Sequence, residues 1–318
     1  MATRREVFVP AAAPAVAARK SELALFWQRY GINYTFMAPF LFLFAVFVIA
    51  PVLTALYLSF TYFNVLEAPR WIGWSNYKLL FLEDDVFLIA IQNTLTFAII
   101  TGPVGFFLSF MFAWLINPLK LKTVLALCFY APSIASGVAM SVVWKIVFSG
   151  DRYGYLNNWL LRVGAQDEPF QWLASASTMM PIIMFVALWM GMGTGFLVFL
   201  AGLQTVNTEL YEAGKMDGIS NPLQEVFYIT LPVMKPQLLF GSVMAVVAGF
   251  SVFDIATSLV GLPSPLYKGH TIVAHLYDFA FIRFEMGYAA AVAVILFVWT
   301  FGLGRILMRI FSSKDELE

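Results

Sequence analysis

The chain has 318 residues, 61% of them hydrophobic and only 12% charged, with 19 basic against 19 acidic side chains. A soluble domain carries about 25% charged residues, so a water-soluble globule is excluded, and the even charge balance offers no field to attract nucleic acid. The single Cys128 lies in an apolar run, so no internal disulfide and no CxxC metal or redox pair is available.

Residues 1–30 read as a polar cytoplasmic tail with Arg4, Arg5, Arg19, Lys20 and Arg29 and an Ala/Pro-rich middle. No apolar core follows within them, so they do not read as a signal peptide. Residues 22–30 fit a short interfacial helix. The remainder, residues 31–318, reads as one transmembrane domain. It carries six continuous apolar runs, at 37–60, 90–116, 124–147, 179–203, 238–262 and 288–311. Each is close to the ~20 residues that cross a bilayer as a helix, and none alternates as a barrel strand must. The expected fold is therefore an all-α integral membrane protein with six transmembrane helices.

Lys and Arg set the orientation. With six spans both termini share a side. That side collects the tail, Lys120, Lys122, Lys215, Lys235, Arg305, Arg309 and Lys314, the larger part of the 19 basic residues. Both termini and the loop 204–236 are accordingly expected in the cytoplasm. The opposite loops are aromatic, with Trp71, Trp74 and Tyr77 in one and Tyr153, Tyr155, Trp159 and Trp172 in another. Such rings ordinarily anchor at the membrane interface; contact with an extracytoplasmic protein or a sugar is the other reading.

The loop 204–236 is the longest polar interruption in the second half. Its spacing predicts two short helices at an angle. Thr208 caps the first, with Glu209 and Glu212 in its first turn, where the dipole favours acids. Gly218 supplies the positive φ that ends it. Asn221 and Pro222 restart the chain as cap and first helical residue. Leu223, Val226, Phe227 and Thr230 recur at helical spacing, and Pro232 and Pro236 are expected to break the pattern. These residues fit a docking element for a soluble partner and an ordinary polar loop equally well.

The stretch closely resembles the EAA loop of permease subunits in binding-protein-dependent ATP-binding cassette (ABC) importers. The matching residues are Glu212-Ala213-Gly214, Asp217-Gly218 and Ile229-Thr230-Leu231-Pro232. Gly214 stands where alanine is commonest, a form also found in the large permease of maltose-type importers. Further likeness lies in Gly73-Trp74-Ser75-Asn76-Tyr77, Asn93-Thr94, Gly154-Tyr155-Leu156-Asn157, Phe253-Asp254 and Gly287-Tyr288-Ala289-Ala290. Gly261-Leu262-Pro263 departs from the family's G-G-P. Residues 30–312 are covered in all.

The resemblance implies a type I ABC importer permease fold in a bacterial inner membrane, working by alternating access. It also implies partners: a second permease, two ATPase subunits that carry ATP and magnesium, and an extracytoplasmic sugar-binding protein. Glu209, Glu212, Ala213, Gly214, Asp217 and Gly218 become the ATPase-coupling residues. The sugar is expected midway across the membrane, in the spans flanking the loop, which points to Trp189, Gly191, Thr194 and Ser251. The family's asparagines there have no counterpart, so the sugar itself stays open.

The residues themselves add candidates. Polar groups inside spans must find a partner or line a wet cavity. Tyr130 and Asp254 qualify, and Trp144 and Trp189 offer ring platforms for a sugar, with Trp189 expected about one turn before Thr194. Small hydroxyls in spans ordinarily bond a neighbouring carbonyl, and single rings ordinarily pack. There is no GxxxxGK[ST], so the chain binds no ATP through a P-loop of its own. His270 and His275 are five apart without HExxH, which is no metal pattern. A polytopic membrane enzyme, such as a lipid-modifying transferase, is one rival reading, but no DxxxD cluster is present. A stand-alone secondary transporter is another; it calls for repeated halves and intramembrane charges.

Overall fold

The computed structural model describes residues 22–311. Most of the expected tail, and residues 312–318, lie outside the described residues.

The described chain falls into two units that meet in sequence at Thr54 and Ala55. In the first, α1 (Glu22–Phe44) continues through a π-helical turn at Ala45–Ile49 into α2 (Ala50–Leu58). Residues 22–30 are thus the start of this long helix and not a separate interfacial one. None of the side chains described in it before residue 55 is buried.

The second unit holds every core residue. It opens with a two-stranded antiparallel ribbon, β1 (Thr61–Tyr62) against β2 (Arg70–Trp71). Next come α3 (Ser75–Leu82) and the long α4 (Asp85–Ile116). Helices α5 (Lys122–Ile134) and α6 (Gly137–Val147) occupy the expected third span, but they are bent by 95°. Pro132 removes an N–H from the last turn of α5, and Ala135 and Ser136 are extended (ψ 144° and 130°), so the helix cannot continue. α7 (Tyr155–Arg162) lies in the following loop, and α8 (Met179–Thr205) follows.

The loop 204–236 contains α9 (Thr208–Met216), α10 (Pro222–Glu225), a π-helical turn at Val226–Thr230 and α11 (Leu231–Val233). The expected fifth span divides into α12 (Lys235–Phe250) and α13 (Asp254–Val260), separated at Ser251–Phe253. α14 (Ile272–Tyr277) precedes α15 (Met286–Phe311). Among the described residues five helices are long and apolar enough to cross a bilayer, and the bent α5–α6 pair makes a sixth if it counts as one crossing.

α8 is the central helix. Its apolar window is 44% buried, against 22% or less for the other spans. Its first half packs with Phe148, Val252, Ala256 and Leu259, and its second half with Ala113, Ile116, Ala126 and Leu238. At Gly193 the α5 backbone comes so close that a Cβ would stand 2.7 Å from the Phe129 carbonyl oxygen. A third cluster joins α3, the start of α4, α14 and α15 through Leu80, Phe87, Ile272 and Val292.

Candidate functional site

The loop 204–236 folds as a helical hairpin, with one correction to the expected cap. Asn207, not Thr208, caps α9, its side chain accepting the Glu209 N–H at 3.1 Å. Asn suits this place because its short carbonyl reaches back to the free N–H groups of the first turn. Gly218 takes φ +93°, where an L side chain is strained, and Asn221 with Pro222 starts α10. Pro232 lies inside the helical run that continues from the π-helical turn, the expected break falls just after it at Met234 (ψ 10°), and Pro236 sits in the first turn of α12.

The hairpin is held shut from inside. Gly214 is buried, and a Cβ there would meet Ile229 Cδ1 at 2.7 Å and Ile219 Cδ1 at 3.3 Å. Tyr211 and Thr230 share a hydrogen bond of 2.9 Å between hydroxyls, and the Thr230 hydroxyl donates to the Glu225 carbonyl at 3.2 Å. Ile229 joins Leu203, Val206, Met234 and Leu238 in one cluster, which roots the hairpin on the ends of α8 and α12. Glu209, Glu212, Ala213 and Asp217 are left on the surface. Lys215 stands 4.0 Å from Glu225, whereas Glu212 has no ion pair among the described residues.

Between α4, α8 and α12 runs a groove of about 300 Å³. Gly191 and Thr194 line it, together with Thr101, Gly105, Ser109 and Gly241. Trp189 is not in its lining. Five residues advance a helix by about 500°, so Trp189 and Thr194 stand about 140° apart and do not share a face. The ring of Trp189 packs edge to face on Trp144, centroids 5.3 Å apart, and Trp144 stacks on Phe148 at 5.6 Å. Trp144 Nε1 is buried without a hydrogen-bond partner among the described residues. Tyr130 is half-buried on α5, while Ser251 and Asp254 are exposed at the break between α12 and α13. The structure therefore separates the candidates into groove, aromatic cluster and break.

Several polar residues in and between the spans prove to be structural. Ser133 donates to the Met190 carbonyl at 2.7 Å, Ser141 to Gly137 at 2.7 Å, and Thr257 to Phe253 at 2.9 Å. Asn93 donates to the carbonyls of Tyr267 (2.7 Å) and His270 (2.9 Å). Asn157 is fully buried and donates to the carbonyls of Ser149, Asp151 and Phe170, while its oxygen accepts from Phe170 N–H and Trp172 Nε1. Gly261 takes φ +85°, so this glycine of the departed G-G-P motif keeps a backbone role.

One cluster escaped the sequence reading. Asp84 caps α4 and also accepts from His275 Nε2 (3.2 Å) and the Tyr288 hydroxyl. Burial acts to raise the Asp84 carboxyl, but the bonds from His275 and Tyr288 outweigh it and hold the group well below the usual carboxylate range. Asp84 and Tyr288 are 204 residues apart in sequence, and no local spacing announces such a contact.

A bundle of helices long and apolar enough to cross a bilayer, with a rooted helical hairpin between two of them, has the architecture of a multi-pass membrane protein. The chain belongs to the family described as "Binding-protein-dependent transport system inner membrane component", whose pattern matches residues 95–314. It is 33% identical to a probable ABC transporter permease, YesP, of Bacillus subtilis, over 89% of this chain and 90% of that one. It is 30% identical to the lactose transport system permease LacF of Rhizobium radiobacter, over 85% and 90%. Identity is 29% to the arabinooligosaccharides transport system permease AraP of Bacillus subtilis, over 94% and 95%. In fold it matches a chain of a bacterial alginate ABC transporter solved with an alginate pentasaccharide-bound periplasmic protein: TM-score 0.78, 22% identity, 92% of this chain and 99% of that one. The protein is thus a transport permease subunit of the ABC importer type and not an enzyme.

Proposed function

We propose that the chain forms half of the pathway by which a bacterial inner-membrane importer takes up a sugar or oligosaccharide. A second permease supplies the other half, an extracytoplasmic binding protein delivers the sugar, and two ATPase subunits bind ATP with magnesium. This chain itself holds no cofactor. The observation that carries the reading is the hairpin of the loop 204–236. Its acids Glu209, Glu212 and Asp217 face outward, while Gly214 packs on Ile229 and Ile229 roots the hairpin on α8 and α12. An ATPase that pushes this hairpin moves those two helices as one lever, and both line the groove. Relatives named for lactose and arabinooligosaccharides support a sugar as cargo.

We assign the sugar's path to the groove at Gly191 and Thr194. The Trp144–Trp189 pair, Tyr130, Ser251 and Asp254 are further contacts as the spans rotate during alternating access. The orientation follows the Lys/Arg asymmetry, which puts the hairpin and both ends in the cytoplasm. Purification of the full chain in mild detergent from its own cells tests the assembly. An ATPase subunit and a second permease should accompany it in fixed proportion. Recovery of the chain alone, with sugar uptake undiminished in cells deprived of that ATPase, would exclude this function.

A further inference from the structure

At the end of the second unit opposite the loop 204–236, four side chains with no part in the proposed transport path are joined in one chain of contacts. Asp84 accepts from His275 and Tyr288, and His275 Nδ1 stands 3.4 Å from His270 Nε2. His270 and His275 are 2% and 1% exposed. His270 Nδ1 is buried and has no hydrogen-bond partner among the described residues. These groups belong to different elements: Asp84 caps α4, His275 lies on α14 and Tyr288 on α15.

An ionised carboxylate only accepts, so His275 Nε2 carries hydrogen toward Asp84. With His275 in that neutral tautomer, its Nδ1 accepts from His270 Nε2. This leaves an empty lone pair on His270 Nδ1, where one further proton has a place. The groups around His270 are His275 and Asp278 on its own segment, with Arg283 paired to Asp278 at 2.8 Å. From α4 it faces Asp84, and the Tyr267 ring lies 5.4 Å away. Glu83 and Glu285 line a neighbouring pocket with Tyr288.

The segment 261–285 is tied at the same place to three spans. Asn93 of α4 holds the carbonyls of Tyr267 and His270, and Thr94 accepts the Ile272 N–H at 2.9 Å. Thr271 donates to the Val252 carbonyl at 2.9 Å, in the break between α12 and α13. Tyr288 ties it to α15. A charge appearing on His270 stands in the middle of these ties.

We propose that Asp84, His275, His270 and Tyr288 form a proton-operated latch: neutral His270 locks the segment 261–285 across the ends of three spans, and a proton on its Nδ1 releases the segment in acid. The sign agrees with the surroundings. Burial, the largest influence, pushes His270 down to about 4, against the smaller upward pull of Asp278 and Asp84. A released segment restores the ordinary value of about 6.5, so it binds more protons than the locked one. Release therefore grows as pH falls from about 6.5 toward 4, by about tenfold per pH unit.

The test uses the full chain with Cys128→Ser in opened membrane fragments, so that sidedness plays no part. Ala274→Cys reports on the latched segment, where Ala274 is 1% exposed, and Tyr153→Cys is the exposed reference at 89%. The probe is a charged methanethiosulfonate. Between pH 7 and pH 5 the ratio of the two labelling rates should rise about tenfold or more. His270→Gln keeps a donor toward His275 and removes the titrating nitrogen, so its ratio should stay flat. If that variant is unprotected at pH 7, His270→Asn, which keeps an acceptor near the Nδ1 position, takes its place. A flat ratio in the chain with His270 intact overturns the latch whatever the variants do. An equal rise in a protected variant lacking His270 overturns it too.

Discussion

At the scale of single residues, the hairpin separates side chains that hold it from side chains it presents. Gly218 at φ +93° and buried Gly214 are constrained by the fold. A Cβ at position 218 costs about 1–2 kcal/mol through backbone strain alone. Glu212 is exposed and free of ion pairs among the described residues, so nothing inside the chain explains its charge. Glu212→Lys should leave insertion and assembly intact. It should lower transport-coupled ATP hydrolysis about tenfold or more: an acid docked on the proposed ATPase calls for a basic group opposite it, and the lysine would bring like charges together there at a cost of several kcal/mol. Full coupled hydrolysis in a normally assembled Glu212→Lys complex would remove Glu212 from the contact. Gly214 also explains the motif's tolerance: the obstacle to alanine is the far end of a flexible side chain, Ile229 Cδ1, and not backbone.

At the scale of elements, the segment between α6 and α8 is tied together through one residue. It has one short helix, α7, and Leu156, Trp172 and Leu173 pack against the α8 cluster. Asn157 adds buried polar ties by joining Ser149, Asp151, Phe170 and Trp172. Its motif position alone did not disclose this. Asn157→Ala leaves buried carbonyls and the Trp172 N–H unpaired, at roughly 2–4 kcal/mol in total. Limited proteolysis of the full chain in membranes should then cut within residues 149–178 much faster than in the parent, while the spans stay protected. Equal cutting rates would show that the segment is held by other contacts. The α5–α8 contact works differently: Gly193 lets two backbones touch, a device suited to lipid, where close packing replaces hydrophobic drive.

At the scale of the whole molecule, the arrangement has two ends with different tasks. The hairpin lies between α8 and α12 at one end, and the stitched segment 261–285 lies at the other. Orientation in the membrane decides which end meets the ATPase. In a chain with Cys128→Ser, Ser75→Cys should react with an impermeant thiol reagent added to intact cells. Ser220→Cys should react only after the membrane is opened. Both positions are exposed in the fold, so labelling reads sidedness and not burial. The reversed pattern would place the hairpin out of reach of a cytosolic ATPase and overturn the proposed assembly.

The apolar runs, the all-α class and the hairpin were legible in the sequence, because each rests on local chemistry. A run of about 20 apolar residues must satisfy its backbone within itself, which means a helix. Asn-Pro starts and a glycine at positive φ are equally local, and so Asn221, Pro222 and Gly218 took their expected places. The cap at Asn207 was missed by one residue, since Asn and Thr compete for the same role. What tertiary structure alone decided lies beyond those local signals. The 95° bend within the third run needed the extended Ala135 and Ser136, not only Pro132. The angle of about 140° between Trp189 and Thr194 is local helix geometry, but that the first meets Trp144 of α6 and the second the groove with α4 and α12 is decided by how α8 packs. The bridge from Asp84 to His275 and Tyr288 exists because α4, α14 and α15 end at one level, and no spacing along a single element encodes that meeting.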